Sequence, residues 1–198
     1  MNIIIGSDTM KLIVGLGNPG KEYENTRHNV GFSFIDYYVR TKNITESWQK
    51  KFDGVYLQTQ INGEKVFFLK PHTYMNLSGN SVRKLMNYFR ISIDDILIVS
   101  DDMDLLVGNY KLRSRGSSGG HNGLKNIEEN LGSSNYKRLK IGISKDKSLE
   151  TKDYVLGTLS NEDQNTLNLL FKDLCDVLDD YFQLDFGDLM SKYNRKNR

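Results

Sequence analysis

The sequence predicts a single α/β domain built on a mixed, mostly parallel twisted sheet flanked by helices. Three observations predict it: six short runs have strand length and composition, four segments repeat apolar residues at helical spacing, and the two kinds alternate along the chain. Strands separated by helices pair in parallel, and the one strong hairpin signal adds an antiparallel pair to the same sheet. With 198 residues, 38% hydrophobic and 26% charged, the chain has the length of one domain and the apolar content for a core. A disordered tail is excluded.

Residues 1–9 precede Met10, which opens the first strand run, and are read as an extension ahead of a domain spanning 10–198. Strand runs follow at 11–16, 55–61, 65–70, 96–101, 109–113 and 138–143. Asn62-Gly63 between the second and third is a two-residue hairpin turn, because both residues tolerate positive φ. Helical spacing appears over 30–39, 82–89 and 124–131, and most clearly at Leu167, Leu170, Phe171, Leu174, Leu178 and Tyr181. Cys175 falls on that last stripe; as the one cysteine it can form neither an internal disulfide nor a Cys-rich metal site, so a reducing cytoplasm is the expected compartment. The early apolar run Ile3-Ile4-Ile5 is too short for a signal peptide or a membrane span, and a soluble protein is expected.

Charge is nearly balanced overall, at +2, but unevenly spread. From Lys111 to Lys147 nine Lys/Arg face three acids, a local excess of six positive charges; from Glu150 to Asp188 ten acids face two lysines. A chain so divided suits an anionic partner that touches one face.

Gly15-Leu16-Gly17-Asn18-Pro19-Gly20 has the spacing of a dinucleotide fingerprint, but Asn18-Pro19-Gly20 is turn chemistry where that motif needs a helix opening. What remains is a sharp turn at the C-terminal end of a strand, where α/β sheets place ligands, with Asn18 at its tip. Thr26-Arg27-His28-Asn29 reads as a helix start capped by Thr26, which puts His28 in the first turn, where the helix dipole disfavours the imidazolium. The apolar run 96–99 ends in Ser100-Asp101-Asp102-Met103-Asp104, so Asp101 falls at a strand's C-terminal edge. A carboxylate on one ring nitrogen fixes the tautomer and supports the imidazolium formed when the other nitrogen takes a proton, so His28 and Asp101 form a candidate dyad. The same residues also suit ordinary surface and loop roles. Ligand spacing for a metal is lacking and no cofactor is expected. No Ser or Cys stands in a nucleophile-elbow motif, which leaves activated water as the nucleophile. Two small-residue segments, around Met75-Asn76 and around His121-Asn122, bring amide groups that bind peptide-like or ester groups; singly, Asn76 suits a turn and Asn122 a helix cap.

Together KLIVGLGNPG, EYENTRHNVG, KPHTYMNLSG, DDMDL, GGHNGLK and RLKIGI resemble, in order, the motifs of the bacterial-type peptidyl-tRNA hydrolase family, and the resemblance runs from Met10 through the C-terminal helix. It implies a monomeric, metal-independent esterase that cuts peptide from the 3′-terminal ribose of tRNA, with no membrane partner. By the same resemblance His28 is the base, Asp101 its carboxylate, and Asn18 discriminates blocked from free aminoacyl groups. It also implies substrate contacts at Tyr23, Tyr74, Asn76 and Asn122, with Met75 and His121 beside them, and phosphate contacts at Arg113 and Lys140, with Lys111 and Arg138 as neighbours. Ser100 stands where many relatives have His, and Leu106 where many have Pro. Two other readings are a non-catalytic RNA-binding relative of the same fold and a nucleoside phosphorylase-like enzyme.

Overall fold

Runs such as Leu12-Ile13-Val14 and Ile96-Leu97-Ile98-Val99 are apolar on both sides of a strand, and the structure, a computed structural model, buries both sides. It describes residues 9–146 and 148–194; residues 1–8 of the predicted extension, and Lys147, lie outside the described residues. In chain order the elements are β1 (Met10–Gly15), α1 (Val30–Thr41), β2 (Gln49–Lys51), β3 (Gly54–Ile61), β4 (Glu64–Pro71), α2 (Ser78–Phe89), β5 (Ile96–Asp102), β6 (Tyr110–Arg113), α3 (Asn122–Leu131), β7 (Lys137–Gly142), α4 (Thr151–Leu156), α5 (Asn161–Tyr181) and α6 (Phe186–Tyr193).

The seven strands form one sheet in the order β2-β3-β4-β1-β5-β7-β6. Pairs β1–β4, β1–β5 and β5–β7 are parallel, and β2–β3, β3–β4 and β6–β7 are antiparallel. Five strands therefore run one way, with β3 and β6 reversed. The hairpin β3–β4 turns at Asn62 and Gly63 with φ of 52° and 82°, the positive pair that a right-twisted two-residue turn requires. The antiparallel pairs β2–β3 and β6–β7 add to that single expected hairpin.

Strand alternation divides the core into two layers. Leu12, Val14, Phe67, Leu69, Ile96 and Ile98 meet Val82 and Leu85 of α2 and Leu124 and Ile127 of α3. Ile13, Val66, Phe68, Leu97 and Val99 meet Phe34 and Ile35 of α1 and Leu170 and Leu174 of α5. At about 1.5–3 kcal/mol for each fully buried large aliphatic or aromatic side chain, these layers and not the exposed β2 hold the sheet together. Helix α5 starts at its cap, Ser160, whose Oγ accepts the Asp163 N–H at 3.0 Å, about two turns before the apolar stripe begins at Leu167. Among the described residues no helix is long and apolar enough to cross a membrane.

Candidate active site

The parallel strands end where β1 and β5 deliver the Gly15–Gly20 turn and Asp101. Helix α1 reaches this edge only because two glycines face each other. A Cβ on Gly31 would lie 2.6 Å from the backbone N and O of Leu16 and from the Val99 carbonyl; one on Gly15 would lie 2.5 Å from the Gly31 carbonyl. The contact is locked by Phe32 N–H donating to the Leu16 carbonyl at 3.2 Å.

Just before α1, His28 sits in a single 3₁₀ turn, Arg27–Asn29. The expected Thr26 cap is not made, since Thr26 Oγ1 donates back to the Tyr23 carbonyl at 2.8 Å. The turn is held instead from α4 and the segment after it. Thr26 bridges Thr158, Arg27 N–H donates to the Gly157 carbonyl at 3.1 Å, and the Arg27 guanidinium lies 4.4 Å from the Tyr154 ring centroid.

Asp101 has the parity of Leu97 and Val99, so it faces the α1 layer, where His28 waits. His28 Nδ1 lies 2.8 Å from Asp101 Oδ1, and both residues are buried. The same oxygen lies 3.0 Å from Nε2 of His121, whose ring centroid is 4.9 Å from that of His28. Burial alone would raise the pKa of Asp101, but its contacts with His28 and His121 outweigh it and hold the carboxyl well below its usual range. His28, Asp101 and His121 are the described residues whose possible metal-donor atoms cluster, within 4.8 Å of one another, and their mutual hydrogen bonds account for that closeness.

The three residues line a cavity of about 310 Å³ together with Asn122, Lys140 and Ser118. Helix α4 closes one wall with Thr151 and Val155. Asn18 lines a neighbouring hollow, between the Gly15–Gly20 turn and Phe32 and His72. It is buried, its Oδ1 accepts the Met75 N–H at 2.7 Å, and its Nδ2 has no hydrogen-bond partner among the described residues. Met75 is also buried, and its thioether occupies the space that a Cβ on Gly123 would need. Asn76 and Tyr74 are exposed beside it, and Tyr74 meets Tyr23 edge to face at 6.4 Å. Asn122 does not cap α3; its neighbour His121 does, through Nδ1.

The predicted phosphate contacts separate into two groups. Arg113 is exposed and has no ion-pair partner among the described residues. Lys111 is half-buried and sits across from Lys140 in the β6–β7 pair. Lys140 Nζ lies 2.5 Å from Asp102 Oδ2, and Lys145 pairs with Asp104 at 2.8 Å, so acids just outside the basic segment offset part of its excess. Arg138 is corrected outright as a phosphate contact. It is 1% exposed, donates to the carbonyls of Ser117 (2.7 Å), Gly116 and Ser134, pairs with Glu128 at 3.1 Å and stacks on Tyr136. No donor remains at the surface for a phosphate.

Two residues of this region carry no assigned role in the sequence reading. Asn29 accepts the Asn18 N–H at 2.8 Å and donates to the Asn18 carbonyl at 2.9 Å; its signal was an amide directly after the candidate base. Asp102, the partner of Lys140, lies one residue past Asp101.

A buried imidazole on a buried carboxylate, in a cavity at the C-terminal edge of an open α/β sheet, is an arrangement that suits a hydrolytic enzyme. The family model for peptidyl-tRNA hydrolase matches residues 12–198. The peptidyl-tRNA hydrolase of Lactobacillus acidophilus is 44% identical over 186 residues, which cover 93% of this chain and all of that protein, and that of Bacillus anthracis matches to the same extent. The crystal structure of peptidyl-tRNA hydrolase from Acinetobacter baumannii superposes with a TM-score of 0.81 at 34% identity, covering 97% of this chain and 95% of the other. The chain belongs to the peptidyl-tRNA hydrolase family, and it is a hydrolase.

Proposed function

We propose that the chain cleaves the ester between a peptidyl or N-blocked aminoacyl group and the 3′-terminal ribose of tRNA, with His28 as general base. The observation that carries this reading is the 2.8 Å contact of His28 Nδ1 on Asp101 Oδ1 inside the cavity. Asp101 takes the Nδ1 proton in hydrogen bond, which leaves the Nε2 lone pair for a water molecule. As that water attacks the ester carbonyl its proton passes to Nε2, and Asp101 steadies the imidazolium. The tetrahedral oxyanion then expels the ribose oxygen as an alkoxide, which takes the proton back from Nε2, leaving free tRNA and a peptide carboxylic acid that releases its proton to water. Asn122, on the cavity wall, and Asn76, exposed beside Met75, offer amide donors for the water and the developing oxyanion. Asn18, with Oδ1 already occupied by Met75, presents Nδ2 to a carbonyl of the blocking group. Tyr23 and Tyr74 offer an apolar wall for the peptide, and Arg113, Lys111 and Lys140 meet the backbone of the tRNA acceptor end. A cytoplasmic monomer fits this substrate.

The test is hydrolysis of N-acetyl-aminoacyl-tRNA beside the same aminoacyl-tRNA without the blocking group. Release of tRNA from the blocked substrate, with the free one spared, is the expected result. Tight binding of both with hydrolysis of neither would leave an RNA-binding relative of the fold.

A further inference from the structure

Both ring nitrogens of His121 are committed within the protein. Nδ1 lies 3.1 Å and 3.2 Å from the backbone N–H groups of Gly123 and Leu124, in the first turn of α3. Those groups only donate, so Nδ1 must carry its lone pair, and the ring proton sits on Nε2. Nε2 is 3.0 Å from Asp101 Oδ1 and donates to it. The imidazole is thereby fixed as a neutral tautomer, and neither nitrogen is left for a substrate.

Asp101 Oδ1 thus collects two N–H donors. One comes from His28, ahead of α1 on one face of the sheet, and the other from the cap of α3, which packs on the opposite face. A carboxylate with a single donor can rotate about χ2, whereas one held from both sides cannot. We propose that His121 is a positioning residue, which holds Asp101, and through it His28, in register with the N-terminus of α3.

This inference rests on the general-base reading of His28. Without the His121 donor, the Asp101 charge falls on His28 alone, which favours the imidazolium and moves the acid limb of the kcat/KM profile to higher pH. The other charged groups on the cavity are Asp102 and Asp104, beyond Asp101 on the chain, and Lys140 of β7, which pairs with Asp102; α4 presents only Thr151 and Val155, which do not titrate.

Two substitutions separate the two ends of the ring. His121→Asn keeps an amide oxygen where Nδ1 stands, so α3 stays capped, but has nothing at Nε2. His121→Gln carries an amide nitrogen to the Nε2 position. The expected result for His121→Asn is an unchanged melting temperature, KM within about twofold, kcat lower by about tenfold, the worth of one hydrogen bond to a charged group, and an acid limb at higher pH. His121→Gln should restore kcat and the limb. A raised KM with an unmoved limb in His121→Asn would make His121 a substrate contact and overturn the inference. So would ¹H–¹⁵N correlation spectra of the wild-type imidazoles that show His121 protonated at Nδ1. His28→Ala, measured alongside, separates the two levels. If it keeps wild-type turnover, the general-base reading falls and this inference with it. If it is inactive while His121→Asn behaves as wild type, this inference alone falls.

Discussion

Asn29 grips Asn18 by both backbone groups, its Oδ1 accepting the N–H at 2.8 Å and its Nδ2 donating to the carbonyl at 2.9 Å. A side-chain amide here does the work of a neighbouring strand and leaves the Asn18 side chain free to turn toward Met75. The residue after the proposed base thus places the residue proposed to sense the blocking group, and a one-turn element couples two parts of the site.

Replacing Asn29 by Ala orphans a buried N–H and a buried carbonyl, at a cost of about 1–3 kcal/mol for each unmet group. The expected outcome is a lower melting temperature and, below it, a smaller ratio of kcat/KM for N-acetyl-aminoacyl-tRNA over aminoacyl-tRNA. An unchanged ratio in the folded variant would detach Asn29 from the placement of Asn18.

Acid sensitivity follows from Asp101. Its carboxyl titrates below its unfolded value because His28 and His121 outweigh the burial penalty. A group lowered in the folded state stabilises above its unfolded pKa, about 3.9 for Asp, and loses that contribution as pH falls through the folded value. Asp101→Asn should therefore be less stable than wild type at pH 7, by about 2 kcal/mol for the charge-assisted bonds lost, and the gap should start to narrow as pH falls below about 4. Denaturant melts at pH 7, 5 and 3 check this; a gap of constant size would show that Asp101 stays charged, or is unimportant, throughout.

Gly31→Ala puts a methyl 2.6 Å from three backbone atoms, the N and O of Leu16 in the turn after β1 and the Val99 carbonyl of β5, none of which can rotate away. Helix α1 must lift from the sheet and take the 27–29 turn with it. Overpacking of this kind costs about 1–3 kcal/mol, and activity should fall further than stability does, since His28 Nδ1 leaves Asp101. Equal activity per folded molecule in Gly31→Ala would argue that the close approach serves packing alone.

The central strands were legible because doubly buried apolar runs leave no other placement for Leu12-Ile13-Val14 or Ile96-Leu97-Ile98-Val99. Strand β2 was not, because Gln49-Lys50-Lys51 is exposed throughout and is held by β3, with Tyr56 Oη donating to Gln49 Oε1 at 2.8 Å, and by Lys51 over the Tyr88 ring. Helix α6 carried a signal that went unread: Phe186, Leu189 and Tyr193 are buried at helical spacing behind the cap Asp185, but three positions are a short pattern. In the site, His28 and Asp101 could be found locally, from a turn and a strand end. The role of His121 could not, since it depends on a strand and a helix from different layers meeting at one oxygen.

Arg138 and Lys140 mark the remaining limit and give the last prediction. They lie two residues apart on β7, so their side chains share a face, and sequence spacing treats them alike. The Gly116-Ser117 segment folds over Arg138 and takes its guanidinium, while Lys140 stays at the cavity beside Asp102. Arg113, paired with Arg138 in the β6–β7 ladder, points to solvent instead. Arg113→Ala should weaken binding of all tRNAs alike and flatten log K against log salt by about 0.7–0.9, one phosphate contact. Lys140→Ala should flatten it less, because Asp102 already offsets that charge. Arg138→Ala should hardly alter the slope, but should cost about 3–5 kcal/mol of stability, as Glu128 and several carbonyls lose a buried cation. Titrations of intact tRNA at several salt concentrations, beside thermal melts, distinguish the three. A slope change for Arg138→Ala equal to that for Arg113→Ala, with its melting temperature intact, would return Arg138 to the tRNA-binding face.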